Sequence, residues 1–323
     1  MKLPNSINYD HGICAIDSEY YRSGLASIHL IVEGNKAALV DTGTFFSVPG
    51  VMQILSQKRI PSENILYVFL THIHLDHAGG AGEFMSLFPN AKLVVHPRAV
   101  RHMADPSRLI KSAMMIYGEE DFRRMYGEIR PVDASRIIEA ADNFHIKMNG
   151  RALFFIDTPG HARHHYCIFD EKSQSFFTGD TFGVSYREFD VDGMEFVFPT
   201  TTPVQFDPLE AHNSIDRIMS YDPKYAFLTH YSRIGNLSHH ATLLHDLIDK
   251  YVTIAINTYN DGAEGKMLLV KELKELLTEQ IKSHGCILPK HEIYSLLNMD
   301  INLNAEGLIY WLELNNKNIS KIG

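Results

Sequence analysis

Five short apolar runs in this chain each stop at a polar residue suited to a metal ion, and that repetition constrains the fold most. Ala37–Val40 runs into Asp41-Thr42-Gly43, and Ile65–Leu70 into Thr71 and the cluster His72-Ile73-His74-Leu75-Asp76-His77. Ala152–Ile156 leads to Asp157-Thr158-Pro159-Gly160-His161, Ser175–Phe177 to Thr178-Gly179-Asp180, and Tyr225–Leu228 to Thr229-His230. Apolar runs of this length bounded by turn residues read as strands buried on both faces. Strands of one sheet keep roughly common directions, so their ends converge on one edge, and residues distant in sequence meet there.

The cluster after Leu70 places three imidazoles and a carboxylate within six residues. Such a loop costs folding energy unless something binds it. Neutral imidazoles with carboxylates suit Zn, Fe or Mn; His72 and His74, two apart, can grip one ion while Asp76 and His77 turn to a second. A lone His-x-His pair would mean little, but the full His-x-His-x-Asp-His after a buried strand is a specific signal.

These residues resemble the metallo-β-lactamase superfamily over about residues 10–235, whose five motifs appear in order as Asp41, His72–His77, His161, Asp180 and His230. The pattern is similar to the glyoxalase II-like and lactonase-like branches. The fold this resemblance implies is an αββα sandwich of the mixed α/β class, two sheets face to face with helices outside. It also implies two divalent transition-metal ions, zinc first and iron or manganese next. His72, His74 and His161 would hold one ion, Asp76, His77 and His230 the other, with Asp180 bridging them. Asp41 would accept a hydrogen bond from a ligand histidine and fix its tautomer, its ordinary alternative being a turn cap before Gly43. His165 matches a second histidine of the glyoxalase II-like motif and takes a supporting role. His164 is assigned nothing.

Two cations about 3.5–4 Å apart repel and need an anion between them, which Asp180 and a shared hydroxide would provide. Bound water falls from a pKa of about 16 to about 7 in such sites, so the metal-bridging hydroxide is the expected nucleophile. Asp76 and Asp180 are then the catalytic carboxylates. The function expected is hydrolysis of a small ester-like bond, thioester first and lactone second, with phosphodiester hydrolysis ranked lower. The rivals are a di-iron or mononuclear-iron oxygenase or reductase, and a slow metal-binding protein that senses a ligand.

Specificity is expected in two long segments and the tail. Residues 97–133 read as helical, with Leu109, Met114, Met115, Tyr117, Phe122, Met125 and Tyr126 as an apolar set that mainly packs. Residues 182–207 are rich in aromatics and follow Asp180 directly, which makes Tyr186 the candidate substrate contact. Asn260–Gly265 reads as a turn-rich joint, dividing a metallo-β-lactamase-like domain (1–259) from a C-terminal helical extension (260–323). That extension serves equally well as a wall of the substrate site or as a packing appendage, through which a homodimer could form.

With 323 residues, 45% of them hydrophobic, the chain can bury a large core. A net charge of −9 without a basic face argues against nucleic-acid partners and for a small-molecule substrate. No apolar stretch approaches the ~20 residues of a membrane span and the first residues lack a signal-peptide core. Cys14, Cys167 and Cys286 are scattered and expected to be reduced, so a cytoplasmic location is expected.

Overall fold

The computed structural model describes residues 4–201, 203–259 and 263–319, with the side chains of 263 and 316–319 left aside. A first sheet holds seven strands in sequence order: β1 (Ser6–Tyr9), β2 (Ile13–Asp17), β3 (Ser27–Glu33), β4 (Lys36–Val40), β5 (Ile65–Phe69), β6 (Lys92–Val95) and β7 (Ile137–Glu139). The first three pairings are antiparallel; β4 to β7 run parallel. A second sheet orders six strands as β13 (Ser232–Ile234), β12 (Tyr225–Leu228), β11 (Ser175–Gly179), β10 (Tyr166–Asp170), β9 (Arg151–Asp157) and β8 (His145–Met148), with β11 and β12 parallel.

The chain divides into two compact units. The first comprises Met1–Asp157, His164–Gly179 and Pro223–Arg233, and so contains nearly all of both sheets. Its helices are α1 (Val48–Gln57), α2 (Leu75–Ala78), α3 (Ala81–Leu87), α4 (Val100–Ala104), α5 (Ser107–Tyr117) and α6 (Glu119–Tyr126). Proline in the first turn of α1, where its missing N–H costs nothing, starts that helix. One face of the first sheet packs Leu30, Leu39, Val68 and Leu93 against Val51, Ile54 and Leu55 of α1, Phe84 of α3 and Met103 of α4. The opposite face packs Ile31, Val40, Phe69 and Val94 against Leu153, Phe155, Ile168, Phe177 and Phe227 of the second sheet. Each fully buried side chain of this size contributes roughly 1.5–3 kcal/mol, which is why the positions facing these cores are apolar.

The second unit, Thr158–Arg163, Asp180–Asp222 and Ile234–Gly323, contains α7 (Pro208–Met219), α8 (Leu237–Thr258), α9 (Ala263–Ser283) and α10 (Lys290–Ile319). Leu269, Leu273, Leu277 and Ile281 on α9, and Ile293, Leu297, Ile301, Ala305, Leu308 and Leu312 on α10, are buried. Spacings of three and four put each set on one helix face. Tyr251, Asp300 and Asn304 are polar yet buried among them.

The joint expected at residue 260 falls partly on Asn260–Gly262, outside the described residues, and the compact units do not part there: α8, α9 and α10 all lie in the second. The segment 97–133 is helical only as far as Tyr126; α5 buries no residue and exposes Met115, and only Phe122 and Tyr126 of the expected apolar set are buried. The aromatic set of 182–207 is buried throughout, including Phe182, Phe189, Phe196, Phe198 and Phe206. Cys14, Cys167 and Cys286 are buried and free. No helix among the described residues is long and apolar enough to cross a membrane.

Candidate metal centre

In the first unit, the C-terminal ends of parallel β4 and β5 lie side by side and deliver Asp41 next to Thr71 and His72. Asp41 is 1% exposed, with φ at +58°, a backbone region that Asp tolerates better than most residues. Its carboxylate gathers four donors. Oδ1 accepts the Thr71 N–H at 2.8 Å and the Thr71 hydroxyl at 3.0 Å. Oδ2 accepts His77 Nδ1–H at 2.8 Å and the Thr229 hydroxyl at 2.7 Å. Thr229 directly follows β12 of the second sheet, and Ser27 N–H, at the start of β3, donates to its carbonyl at 2.8 Å, so the edges of both sheets meet at this one carboxylate.

These contacts set the histidine tautomers. A carboxylate only accepts, so His77 carries its proton on Nδ1 and presents Nε2 as a lone pair. His230 Nδ1 lies 2.9 Å from the Leu25 carbonyl, with the same consequence. Thr71 gives its hydroxyl proton to Asp41 and can only accept from His72 Nδ1, 3.2 Å away. Three imidazoles thus present Nε2 lone pairs by the chemistry of their partners alone.

Asp76, His77 and His230 each offer a ligand atom within 4.8 Å of the others. Asp76 Oδ2 stands 3.4 Å from His230 Nε2 and 3.7 Å from His77 Nε2. Those gaps are too wide for good hydrogen bonds. They match two ligand atoms each about 2.0–2.2 Å from one ion. His77 and His230 are buried and Asp76 is partly exposed. His72 Nε2 and His74 Nδ1 form a second pair, 2.7 Å apart. The donor set fits a divalent transition metal.

His165 is fully buried and stacks on His72, centroids 4.9 Å apart. Gly179, at φ +51°, ends β11 beside it; a Cβ there would lie 2.6 Å from both His165 Nε2 and Thr71 Oγ1. Only glycine fits both the space and the backbone conformation. Sequence spacing assigns His164 nothing, yet its ring lies 5.6 Å from that of His74. Thr71 and Thr229 were also missed, although the repeated Thr-His dipeptide at the ends of β5 and β12 is a readable signal. Tyr126 of α6 hydrogen-bonds Tyr20 at 3.2 Å, and burial, reinforced by the Tyr20 and Tyr117 hydroxyls and the Asp76 charge, pushes its phenol far up, so it stays neutral.

In the second unit, His161 and Asp180 form a pair, Nε2 to Oδ2 3.4 Å. His161 Nδ1 faces the Thr200 carbonyl at 3.1 Å, which again leaves Nε2 as the lone pair. The loop before it is held by the Ser214 hydroxyl on the Pro159 carbonyl and by Asp207 N–H on the Gly160 carbonyl. A Cβ on Gly160 would meet Ala211 N at 2.4 Å. Beside the pair is a hollow lined by Pro199, Phe206, Ala211 and Leu244, with a free volume of about 10 Å³, room for a water-sized species and not for a substrate. The expectation of a substrate contact at Tyr186 is corrected: the residue is 1% exposed and its hydroxyl donates to both oxygens of Asp300, at 2.8 and 3.0 Å. An aromatic ring with one polar end was resolved by packing that end onto α10, which sequence spacing does not reveal.

The family model described as Metallo-beta-lactamase superfamily matches residues 22–230. The chain belongs to the metallo-beta-lactamase superfamily. Among curated relatives of this superfamily, the metallo-beta-lactamase fold-containing protein ST1585 of Sulfurisphaera tokodaii is 27% identical over 210 residues, 64% of this chain and 72% of that one. The crystal structure of ST1585 superposes with a TM-score of 0.60 at 21% identity, covering 93% of this chain and 99% of that chain, which shows the αββα fold. The human acyl-coenzyme A thioesterase MBLAC2 is 26% identical over 183 residues, 52% of this chain and 63% of that protein. The atrochrysone carboxyl ACP thioesterase of Aspergillus chevalieri is 27% identical over 154 residues, 47% of this chain and 38% of its own length. The match to this last relative thus spans well under half of it.

Proposed function

We propose that this metal-dependent hydrolase cleaves a small ester-like bond, a thioester before a lactone, at a dinuclear centre. The observation that carries the reading is the group Asp76, His77 and His230, whose imidazole tautomers are fixed by Asp41 and the Leu25 carbonyl so that both Nε2 lone pairs face one carboxylate oxygen. The proposal assigns one ion to these three residues and the other to His72, His74 and His161, with Asp180 supplying the negative charge between them. Two divalent ions bound there would provide a hydroxide nucleophile near neutral pH and a Lewis-acid hold on the scissile carbonyl. The chain's own residues do the rest. Asp76, the most exposed of its group, orients the attacking group and carries a proton to the departing thiolate or alkoxide. Asp41 keeps His77 in the ligating tautomer, and Thr71 does so for His72. A thioester is favoured over a lactone because two of the relatives are named as thioesterases, of acyl-coenzyme A and of an acyl carrier protein. The substrate is accordingly an acyl thioester of small-molecule size, and zinc is the metal proposed first for this all-nitrogen-and-oxygen donor set.

The test is elemental analysis of mildly purified protein, joined to a hydrolysis screen over acyl thioesters, lactones and phosphodiesters. Two ions per chain and thioester turnover are expected. Asp180→Asn should lose one ion and more than the roughly 10–100-fold that partners outside the ligand set carry; unchanged turnover in that variant overturns the mechanism.

A further inference from the structure

Within the second unit, a group of histidines and aspartates unconnected with the residues above lies on α7 and α8. His212 and Asp216 on α7 are four residues apart, as are His245 and Asp249 on α8. Each pair therefore shares one face of its helix. The pairs interlock crosswise. His212 Nε2 lies 3.1 Å from Asp249 Oδ1, and His245 Nε2 lies 3.1 Å from Asp216 Oδ1. A carboxylate accepts and does not donate, so each Nε2 carries a proton, and each neutral ring is left with a bare lone pair on Nδ1. Those two Nδ1 atoms face one another at 2.5 Å, with ring planes 11° apart and centroids 4.8 Å apart. Two bare lone pairs repel at that separation, so the contact calls for a positive centre between them, either a shared proton or a metal ion.

We propose that His212 and His245 form a separate site for a divalent transition-metal ion of the zinc class, taken between their Nδ1 atoms. Asp249 and Asp216 orient the rings from behind, the carboxylate–histidine–metal arrangement that sets tautomer and raises ligand basicity. Metal–nitrogen distances of about 2.0–2.1 Å require the two nitrogens to part by under about 1 Å. The rings can do so: His212 is 23% and His245 29% exposed, on helix surfaces open to solvent. The same close approach of two imidazole nitrogens, 2.7 Å, occurs at His72 and His74. The two aspartates, about three-quarters exposed, leave room for water to complete the coordination.

The 323-residue chain is dialysed against graded Zn²⁺ and its metal content counted, alongside a His212→Gln/His245→Gln variant. The wild type is expected to bind one more Zn²⁺ per chain than the variant, while thioester turnover stays equal in the two. An Asp216→Asn/Asp249→Asn variant should bind that extra ion about 10–100-fold more weakly, and it carries the test by itself if the histidine variant fails to fold. Equal metal counts in wild type and variant, or ring-nitrogen NMR signals of a shared proton that Zn²⁺ leaves unmoved, overturn the proposal. Because the readout is a difference between variants, it reports on α7 and α8 whether or not the hydrolytic centre is loaded.

Discussion

Replacing Asp41 by Asn tests the idea that a single buried carboxylate organises the metal-binding edge. The side chain keeps its shape and loses one acceptor and the charge. Four donors converge on it: the Thr71 N–H, the Thr71 and Thr229 hydroxyls and His77 Nδ1–H. An amide has one oxygen. With that oxygen toward His77 and Thr229, the NH₂ group faces the Thr71 N–H, a backbone donor that cannot rotate away as the hydroxyls can. Orphaning a buried donor costs about 1–3 kcal/mol, and the lost charge assistance to His77 belongs to a class worth about 1.5–3 kcal/mol. The total is about 2.5–6 kcal/mol of stability. The opposite amide orientation instead deprives His77 of its acceptor and frees its tautomer, for a loss of about 10–100-fold in metal affinity. Urea unfolding of chelated protein reads the first quantity, and competition titration with a zinc indicator the second. A variant within about 0.5 kcal/mol of wild type, the usual range for a surface substitution, and with unchanged zinc affinity would refute the role assigned to Asp41.

Three further outcomes follow from the same coordinates. Thr71→Val removes the acceptor for His72 Nδ1–H and should weaken metal binding about 10-fold, at about 1 kcal/mol of stability, measured by the same two titrations. His29 is wholly buried, and burial lowers its pKa from the ordinary 6.5 to about 4, opposed weakly by the Asp41 charge. The folded chain thus binds that proton less readily than the unfolded one, so the contribution is full above pH 6.5 and lost as pH falls toward 4. It amounts to about 3 kcal/mol, and His29→Gln should flatten that part of a pH–stability curve; an unaltered slope would contradict it. Tyr186→Phe breaks the bonds to Asp300 and should cost about 1–3 kcal/mol in thermal unfolding while leaving kcat/KM unchanged.

Much of the first unit was legible because its signals are local and periodic. The runs ending at Val40, Leu70, Ile156, Phe177 and Leu228 each became a strand, and the polar residue after each sits at a strand end or in the loop that follows. The α1 helix, Val48–Gln57, opens with a proline in its first turn, a local start signal of the same kind. What escaped depends on long-range partners. The first strand, Ser6–Tyr9, is mostly exposed and carries no buried stripe to announce it. The α10 helix begins at Lys290, where the buried positions Ile293, Leu297 and Ile301 carry its apolar face between polar neighbours. Tyr186 looked like a groove residue from its place after Asp180; its partner is 114 residues away.

The same distinction separates ligands from the groups that aim them. A histidine's capacity to bind metal is written in its side chain, whereas its tautomer depends on what its other nitrogen meets. For His77, His72 and His230 those partners are Asp41, Thr71 and the Leu25 carbonyl, the last a backbone group with no sequence signature at all. Asp41 accepts from four donors, one of them His77 Nδ1–H, and Thr71 and the Leu25 carbonyl engage Nδ1 of His72 and His230. The rings are thereby aimed before any ion arrives, and the ordering that metal binding would otherwise require is already supplied by the edges of two sheets. That is why the repeated Thr-His dipeptide carries information: each threonine ties the strand end that presents a histidine to the same carboxylate.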